Sequence, residues 1–309
     1  MPKVKIIKGL KGKNLVSVDD LTPQLVLKLF QKTSQFSKYP NSNSLKNKIV
    51  ALLFFEPSSR TFSSFNVAVK RLGGQTLDYQ NPMQTSSAVK GESFGDMIKI
   101  FSIYTDAIVI RHFEKGKSEE ASKFSDKPVI NAGDGIGEHP SQALLDLFTI
   151  YSKHKKVENL HGLIVGDLVN GRTVHSLIKL LAKFRNNEVW LLSVKEFAID
   201  KNQLDEFKKE GIKINLIYKE SEIPKNLDFW YWTRIQTERL KNKNVKNPFI
   251  LRNDLIKKFA GPKTLFMHPL PRVGEILEEV DTDPRAMYLK DQPQNGVYVR
   301  MAILDMILG

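Results

Sequence analysis

The sequence predicts an α/β protein of two domains, each a mostly parallel sheet flanked by helices. Short apolar runs, typical of buried strands, alternate with segments whose apolar residues recur every three or four positions, as on one face of a helix. Alternating strands and helices favour parallel sheets joined by right-handed crossovers. The chain has 309 residues, which is enough for two domains of ordinary size.

The first domain is predicted to comprise residues 1–139 together with a C-terminal helix within 291–309 that packs back on it. Its predicted elements are, in order, a helix over Leu21–Phe36, a buried strand over Ile49–Phe55, a helix with Phe62, Phe65, Val69 and Leu72 on one face, a long irregular polar segment over Gln75–Gly91, a helix over Ser93–Tyr104, a strand over Ala107–Ile110 and a strand end at Val129-Ile130. Long irregular segments in compact domains are often functional.

The second domain is predicted to comprise residues 140–290, and a helix beginning at His139-Pro140-Ser141-Gln142 is predicted to cross into it. Its further elements are a strand over Leu163–Val165, a helix over Arg172–Phe184, a strand over Val189–Leu192, a helix over Gln203–Lys209, and strands over Ile212–Ile217, Phe229–Trp232 and Thr264–Met267. The last predicted helix is Tyr298–Leu308, whose apolar character suits packing on the first domain.

Composition excludes several classes of protein. The net charge is +13, but the lysines are scattered, as expected of a solvated surface rather than of a face that binds nucleic acid. No apolar run approaches the roughly 20 residues of a membrane helix, and the basic N-terminus lacks the apolar core of a secretory signal. Cysteine is absent, which excludes disulfides and thiolate metal sites and fits a reducing, cytoplasmic location. We therefore expect no metal, no cofactor, no nucleic-acid partner and no membrane partner.

The segment Phe54-Phe55-Glu56-Pro57-Ser58-Ser59-Arg60-Thr61 is the strongest local signal. It places three hydroxyls and one guanidinium between a buried strand and a helix. The N-terminus of a helix binds anions through free backbone N–H groups and a partial positive charge, so Ser58, Ser59, Arg60 and Thr61 predict a phosphate site. Without glycine, the segment is neither a Walker loop nor a dinucleotide fingerprint. Taken alone, it also fits a helix that is merely capped by serine.

Other polar clusters follow predicted strands, at the edge where open parallel sheets bind ligands. They are Arg111, His139–Gln142, Asp167–Arg172, Arg234 and His268–Arg272. Together with Arg60, the four arginines of these clusters predict a substrate with several anionic groups, because arginine binds carboxylate and phosphate through paired donors. No Ser-His-Asp order, acidic dyad or His-x-x-x-His pattern appears, so the chemistry should depend on positioning and charge stabilisation.

Seven ordered motifs resemble those of the aspartate carbamoyltransferases, within the aspartate/ornithine carbamoyltransferase family, over almost the whole chain. They are Ser58-Ser59-Arg60-Thr61, Val89-Lys90-Gly91-Glu92, Arg111-His112, His139-Pro140-Ser141-Gln142-Ala143-Leu144-Leu145-Asp146, Gly166-Asp167 with Gly171-Arg172-Thr173-Val174-His175-Ser176, Thr233-Arg234-Ile235-Gln236-Thr237-Glu238-Arg239, and His268-Pro269-Leu270-Pro271-Arg272. The one visible departure is Ser59, where threonine is usual in the family, and it keeps the hydroxyl.

The resemblance implies transfer of the carbamoyl group from carbamoyl phosphate to L-aspartate, the committed step of pyrimidine synthesis. It implies no cofactor and a catalytic homotrimer whose active sites are shared between neighbouring subunits. It leaves open whether a separate regulatory chain binds.

The resemblance also implies a role for each site residue. The phosphate would be held by Ser58, Ser59, Arg60, Thr61 and Arg111. The carbonyl oxygen would be polarised by Thr61, Arg111 and His139, and the NH2 group would be oriented by Gln142 and the backbone carbonyls of Pro269 and Leu270, with a cis peptide at Leu270-Pro271. The aspartate carboxylates would be bound by Arg172, Arg234 and Gln236. The neighbouring subunit would contribute Ser86 and Lys90, and Lys90 would also contact aspartate, while Glu56, Glu238 and Arg239 would assist domain closure and positioning.

Each of these roles has a plainer alternative. For a lone His139 it is a structural hydrogen bond at a helix start, and for Arg172 or Arg234 a surface salt bridge. At the level of the whole protein, an ornithine-type enzyme shares the fold, but Thr233-Arg234-Ile235-Gln236 stands where that family carries Asp-x-x-x-Ser-Met-Gly, and an arginine would repel a cationic side chain. A basic RNA-binding protein is the remote alternative.

Overall fold

The computed structural model describes residues 9–82, 91–235 and 248–309. The chain forms two compact units, one of residues up to Leu144 together with Asn295–Gly309, and the other of Leu145–Gln294. Each unit contains a parallel sheet flanked by helices, which confirms the predicted fold class. The predicted domain limits of 1–139 with 291–309, and 140–290, stay predictions.

In the first unit, four strands form one sheet. The elements are α1 (Pro23–Lys38), β1 (Ile49–Phe54), α2 (Ser59–Arg71), β2 (Gln75–Gln80), α3 (Phe94–Tyr104), β3 (Ala107–His112), α4 (Lys117–Phe124), β4 (Val129–Asp134) and the start of α5 (Pro140–His154). The sheet order is β2-β1-β3-β4, and all neighbouring pairs are parallel. The inner strands are apolar and buried on both faces, as in other parallel sheets.

The prediction of an irregular segment over Gln75–Gly91 is wrong at its start. Gln75–Gln80 is strand β2, paired in register with β1 from Ile49↔Gln75 to Phe54↔Gln80. As the edge strand of the sheet, β2 has no fully buried residue and alternates between exposed and half-buried positions. It therefore carries no apolar run, which is the pattern that marked the inner strands.

The C-terminal helix α9 (Asp291–Leu308) returns to the first unit, as predicted. The Gly12 amide donates to the Ile307 carbonyl at 3.0 Å, and Lys32 forms an ion pair with Asp305. The buried Arg300 guanidinium lies over the Phe65 ring of α2, 5.0 Å from its centroid.

In the second unit, five parallel strands form one sheet. The elements are β5 (His161–Val165), α6 (Arg172–Ala182), β6 (Glu188–Leu192), α7 (Lys201–Lys209), β7 (Lys213–Ile217), β8 (Phe229–Trp232), α8 (Asn253–Phe259) and β9 (Leu265–Met267). The sheet order is β7-β6-β5-β8-β9. The aromatic strand β8 is completely buried at the centre of this unit. Gly162 of β5 makes room for it, because a Cβ there would lie 2.1 Å from the Phe229 ring.

None of the helices in the described ranges is long and apolar enough to cross a membrane. Within the same ranges, no group of three or more His, Asp and Glu side chains is arranged to hold a metal ion.

Candidate active site

One group of candidate site residues belongs to the first unit and lies where strand order reverses in the four-stranded sheet. The chain leaves β1 for β2 on one side and returns to β3 on the other. Open parallel sheets bind ligands at such a reversal, at the carboxyl ends of the strands. Phe54, the last residue of β1, is in register with Arg111 of β3, and the segment 58–61 follows β1 directly. The fold therefore brings two predicted phosphate-binding groups to adjacent strand ends.

The start of α2 presents its polar groups differently from an ordinary capped helix. Ser58 occupies the N-cap, but its hydroxyl makes no capping hydrogen bond. The side chains of Ser59 and Arg60 are exposed, whereas Thr61 is buried. The plain capping alternative therefore does not describe Ser58. The backbone amides of the first helical turn and three hydroxyl-bearing residues lie together at this helix end, which is the combination that an anion site requires.

Arg111 is buried at the end of β3, where an acidic side chain orients it. One guanidinium nitrogen lies 3.0 Å from a carboxylate oxygen of Glu56, and the other donates to the Ala132 carbonyl at 3.3 Å. Glu56 precedes the 58–61 segment by two residues. The ion pair thus links the Arg111 guanidinium to the segment that leads into the hydroxyl-bearing residues 58–61.

His139 and Gln142 begin α5, after β4. The His139 carbonyl accepts hydrogen bonds from the amides of Gln142 and Ala143, at 3.0 and 3.1 Å, so His139 stands at the N-terminal cap of the helix. Both side chains are buried, and His139 Nδ1 lies 3.4 Å from the Ser141 hydroxyl. In the sheet, β4 lies beside β3. His139, which follows β4, and Arg111, near the end of β3, therefore belong to neighbouring strands.

Another group of candidate site residues belongs to the second unit and lies at the reversal of strand order in the five-stranded sheet, between β5 and β8. Val165 of β5 is in register with Trp232 of β8. Gly166-Asp167 follows the first strand, and Thr233-Arg234 follows the second. Both predicted aspartate-binding arginines of the described ranges therefore follow adjacent strands.

Close backbone contact fixes the start of the Thr233-Arg234 segment. The amide and hydroxyl of Thr233 both donate to the Val165 carbonyl, at 2.8 and 3.1 Å. Gly166 has φ +122, and a Cβ there would lie 2.3 Å from the Thr233 carbonyl oxygen. Only glycine fits that approach, so Gly166 sets where Arg234 leaves the sheet.

Arg172 is the first residue of α6 and is buried. The turn before it is tight, because a Cβ on Gly171 would lie 2.5 Å from the Asp167 carbonyl oxygen. The buried Asp167 carboxylate accepts from the Asn170 amide at 3.0 Å and so closes the same turn. A burial this deep argues against the surface salt bridge as the plain alternative for Arg172.

The segment after β9 is held by its own histidine. His268 Nδ1 accepts from the Leu270 amide at 2.7 Å, and Nε2 lies 2.7 Å from a Glu275 carboxylate oxygen. Burial by itself would raise the pKa of Glu275, but the His268 hydrogen bond lowers it below its usual value. The Leu270-Pro271 peptide bond is cis, which confirms that prediction.

Arg272, at the end of the segment after β9, is paired with an acidic side chain of the same unit. Its guanidinium forms a two-point ion pair with Asp281, whose Oδ1 also accepts from the Tyr288 hydroxyl at 2.7 Å. The same pair lowers the pKa of Asp281. In this structure, both terminal nitrogens of the Arg272 guanidinium contact a carboxylate of the protein, and a contact of Arg272 with an anionic substrate stays a prediction.

Two family models match nearly the whole chain. The carbamoyl-P binding domain of aspartate/ornithine carbamoyltransferase matches residues 13–152, and the Asp/Orn binding domain matches residues 158–307. The chain belongs to the aspartate/ornithine carbamoyltransferase family. The order of the two family domains is that of the two units described above.

Within this family, the chain is similar to proteins named aspartate carbamoyltransferase catalytic subunit. The one from Vibrio campbellii is 40% identical over 305 residues, covering 97% of this chain and 98% of the relative. The one from Azobacteroides pseudotrichonymphae is 39% identical over 311 residues, covering 97% and 100%.

Solved structures of aspartate transcarbamoylases agree in fold. The Trypanosoma cruzi enzyme in complex with carbamoyl phosphate and aspartate matches with a TM-score of 0.91 and 35% identity, covering 97% of this chain and 98% of that one. The catalytic subunit of the M. jannaschii enzyme matches with a TM-score of 0.87 and 38% identity, covering 95% and 97%.

Three predicted carbamoyltransferase site residues lie outside the described ranges, namely Ser86, Lys90 and Gln236. Glu238 and Arg239, predicted to assist positioning, lie outside them as well. Their roles stay predictions.

The sequence interpretation gave no role to several buried or half-buried polar residues that support the site segments. In the first unit these are Asn131, Asp134 and Glu138, which hold the loop before His139. In the second unit, Tyr231 and Gln292 both donate to the Asp146 carboxylate, at 2.8 and 2.7 Å, and Gln292 accepts from the His268 amide at 3.0 Å. Asp134 and Asp146 do stand out in the sequence, as acidic residues beside apolar segments.

Proposed function

We infer that this chain is an aspartate carbamoyltransferase. It transfers the carbamoyl group of carbamoyl phosphate to the amine of L-aspartate and gives N-carbamoyl-L-aspartate and phosphate, the step that commits aspartate to pyrimidine synthesis. The observation that carries this conclusion is the 40% identity to aspartate carbamoyltransferase catalytic subunits over 97% of the chain. Neighbouring structures contain carbamoyl phosphate with aspartate, or N-(phosphonacetyl)-L-aspartic acid.

The phosphate is proposed to bind at the start of α2. Ser58, Ser59 and Thr61 offer hydroxyls and helix-start amides, and Arg60 offers an exposed guanidinium beside them. Arg111, oriented by Glu56, would reach both the phosphate and the carbonyl oxygen. Charge-assisted bonds of this kind strengthen as negative charge moves onto the leaving phosphate.

The carbamoyl group is proposed to be polarised by Thr61, Arg111 and His139. As the aspartate nitrogen bonds to the carbonyl carbon, the oxygen gains negative charge, and these donors would stabilise it before the C–O bond to phosphate breaks. Gln142 and the backbone carbonyls of Pro269 and Leu270 are proposed to orient the NH2 group. No group of the protein becomes covalently attached in this scheme.

The aspartate carboxylates are proposed to bind Arg172, Arg234 and Gln236. An arginine can give a carboxylate two parallel hydrogen bonds, and Arg172 and Arg234 follow adjacent strands of one sheet. Lys90 and Ser86 are proposed to come from a neighbouring subunit.

A parallel assay tests the activity. Purified protein with carbamoyl phosphate should form a ureido product with L-aspartate and none with L-ornithine, because arginines attract a second carboxylate and repel an ammonium group. A ureido product with ornithine alone would establish the ornithine-type enzyme. Salt-dependent retention of RNA with no transfer to either amine would favour the RNA-binding alternative.

We further propose a homotrimer with shared active sites. Lys90→Ala and Arg60→Ala would then damage contributions from different subunits, so hybrids reassembled from the two inactive variants should regain activity at interfaces where both groups are intact. Hybrid trimers that form and stay inactive would place Lys90 in the site of its own subunit.

A regulatory chain and a cytoplasmic location are also proposed. The name catalytic subunit, carried by the similar proteins, supports a separate regulatory partner. Copurification of the tagged chain from its native cells, with fractionation of the same lysate, would test both.

A further inference from the structure

The loop that delivers His139 to the candidate site is fixed by a buried carboxylate. Asp134, the last residue of β4, is buried. Its Oδ1 accepts from the Glu138 amide at 2.7 Å and from the Asn131 side-chain amide at 3.3 Å, and its Oδ2 accepts from the Gly116 amide at 2.8 Å. The two carboxylate oxygens thus join the loop before His139 to the loop after β3.

Backbone bonds reinforce the same connection. The Gly135 amide donates to the His112 carbonyl at 2.8 Å, and the Gly137 amide donates to the Asp134 carbonyl at 2.7 Å. A Cβ on Gly135, which has φ +48, would lie 2.6 Å from the Phe113 carbonyl oxygen. Because His112 directly follows Arg111, the loop that carries His139 is held in register with the strand end that carries Arg111.

Glu138 provides a second anchor, one residue before His139. Its carboxylate accepts from the Val18 amide at 2.6 Å and from the Ser17 hydroxyl at 3.0 and 3.1 Å. Asn131 adds a third connection, because its side-chain amide donates to the Val16 carbonyl at 2.9 Å. His139 is therefore tied both to the sheet and to the N-terminal segment 16–18.

Closing a loop with the buried carboxylate of Asp134 carries a cost in free energy, because the charged group loses its contact with water. Burial raises the pKa of Asp134, and the backbone amides of Glu138 and Gly116 act against that rise. A buried charge is tolerated only where it is well paired. An acceptor with two charged oxygens is needed here because donors from two different loops converge on one side chain.

We propose that Asp134 and Glu138 are positioning residues that hold the His139 imidazole against the carbonyl oxygen of the carbamoyl group. The proposal rests on the proposed function, and it extends that function to two residues that would touch no substrate. Both act through His139. Positioning errors of about 1 Å cost on the order of 100-fold in rate, so loss of either anchor is expected to be visible in kcat.

A double-mutant cycle tests this role. Asp134→Asn leaves one oxygen and puts an NH2 group where a backbone amide donates, so it breaks one of the two loop connections. We expect kcat to fall about tenfold or more in the native background, but less than about twofold in a His139→Ala background, because residues that act as one unit are not additive. The affinity for inorganic phosphate, measured by calorimetry, should stay unchanged, because the segment 58–61 is untouched and Arg111 keeps its own contacts with Glu56 and Ala132.

Glu138 gives an independent test by conservative rescue. Glu138→Gln keeps an acceptor for the Val18 amide and offers a donor to the Ser17 hydroxyl, so kcat should stay near the native value. Glu138→Ala removes both contacts and should lose kcat as Asp134→Asn does. This pair also decides the proposal if Asp134→Asn fails to fold.

Asp106→Asn is the matched control. Asp106 accepts from the Ile49 amide at 2.9 Å and from Lys48 Nζ at 3.0 Å, just before the amino end of β3. It should lower the unfolding midpoint without changing kcat. Equal losses from Asp134→Asn in both backgrounds, or phosphate affinity falling together with kcat, would overturn the positioning role alone. A native protein that makes no carbamoyl-aspartate would overturn the proposed function and this role with it.

Discussion

At the scale of single residues, the candidate site is a set of cationic and hydrogen-bonding side chains at strand ends. Arg111 and Arg172 are buried, whereas Arg60 is exposed at the start of α2. Burial holds the first two in fixed positions at the sheet edge.

Arg60→Ala tests the phosphate assignment. The variant should fold normally, because the side chain is exposed, and it should lose about 100-fold or more in kcat/KM, since a charge-assisted donor to the leaving group is removed. Lys70→Ala, an exposed cation in the last turn of the same helix, is the control and should be near native. Near-native turnover of folded Arg60→Ala enzyme would show that the phosphate lies elsewhere.

His112 predicts a pH dependence of stability. Burial, among the rings of Phe55, Phe94 and Phe113, lowers the pKa of His112 to about 4 from 6.5. As the pH falls below 6.5, His112 becomes protonated in the unfolded chain, whereas in the folded chain it stays neutral until the pH approaches about 4. The free energy of unfolding should therefore fall through that window by at most about 1.4 kcal/mol per pH unit.

The measurement is urea unfolding of native protein and of His112→Phe at several pH values. The difference between their unfolding free energies should vary with pH between 6.5 and 4 and be flat above 7. Two curves that stay parallel over the whole range would mean that His112 titrates alike in both states.

At the scale of elements, apolar runs in the sequence identified every described strand except the edge strand β2. The predicted strand Phe229–Trp232 has the same limits in the structure, and the predicted strand Ile49–Phe55 is observed as Ile49–Phe54. Both were easy to find because they are continuous apolar runs buried on two faces. Edge strand β2 and the short helices α4 and α8 were not predicted. β2 has no fully buried residue and α4 buries only Ser118 and Ala121, so their sequences carry little apolar pattern, and α8, with 7 residues, is too short to show a helical period.

Hydroxyls and arginines after apolar runs predict ligand contacts, and those contacts stay predictions. The positions of residues 58–61, Arg111, Arg172 and Arg234, at or after the carboxyl ends of strands, could be found from the sequence. Partners that lie far apart in the chain could not. Ser17 and Glu138, for example, are separated by 121 residues, and only the packing of the fold brings them into contact.

Gly166→Ala tests how the elements set the site. Gly211→Ala is the matched control, because Gly211 also has positive φ, +98, but has nothing within 4 Å of the Cβ position. Gly211→Ala should cost about 1–2 kcal/mol of stability from backbone conformation alone. Gly166→Ala should cost more and should raise the KM for aspartate, because its Cβ displaces Thr233 and with it Arg234. Urea unfolding and aspartate saturation curves make the comparison, and equal losses in stability with unchanged KM would contradict it.

At the scale of the whole molecule, each sheet carries its candidate site residues at its own reversal of strand order. The four-stranded unit offers hydroxyls, arginine and histidine, which suit a phosphate and a developing oxyanion. The five-stranded unit offers two arginines after adjacent strands, which suit a dicarboxylate. We therefore propose that carbamoyl phosphate binds chiefly to the four-stranded unit and aspartate to the five-stranded unit.

The measurement that tests this division most directly is the response of Arg234→Ala to each substrate separately. We expect its aspartate saturation curve to collapse, with a loss equivalent to about 2–5 kcal/mol, and its affinity for carbamoyl phosphate by calorimetry to stay native. Arg234→Lys should be nearly as poor, since an ammonium group cannot reproduce the planar fork, whereas Arg185→Ala, an exposed arginine of the same unit, should behave as native protein. An unchanged aspartate curve in Arg234→Ala, or a loss of carbamoyl-phosphate affinity in its place, would contradict the assignment of the two substrates.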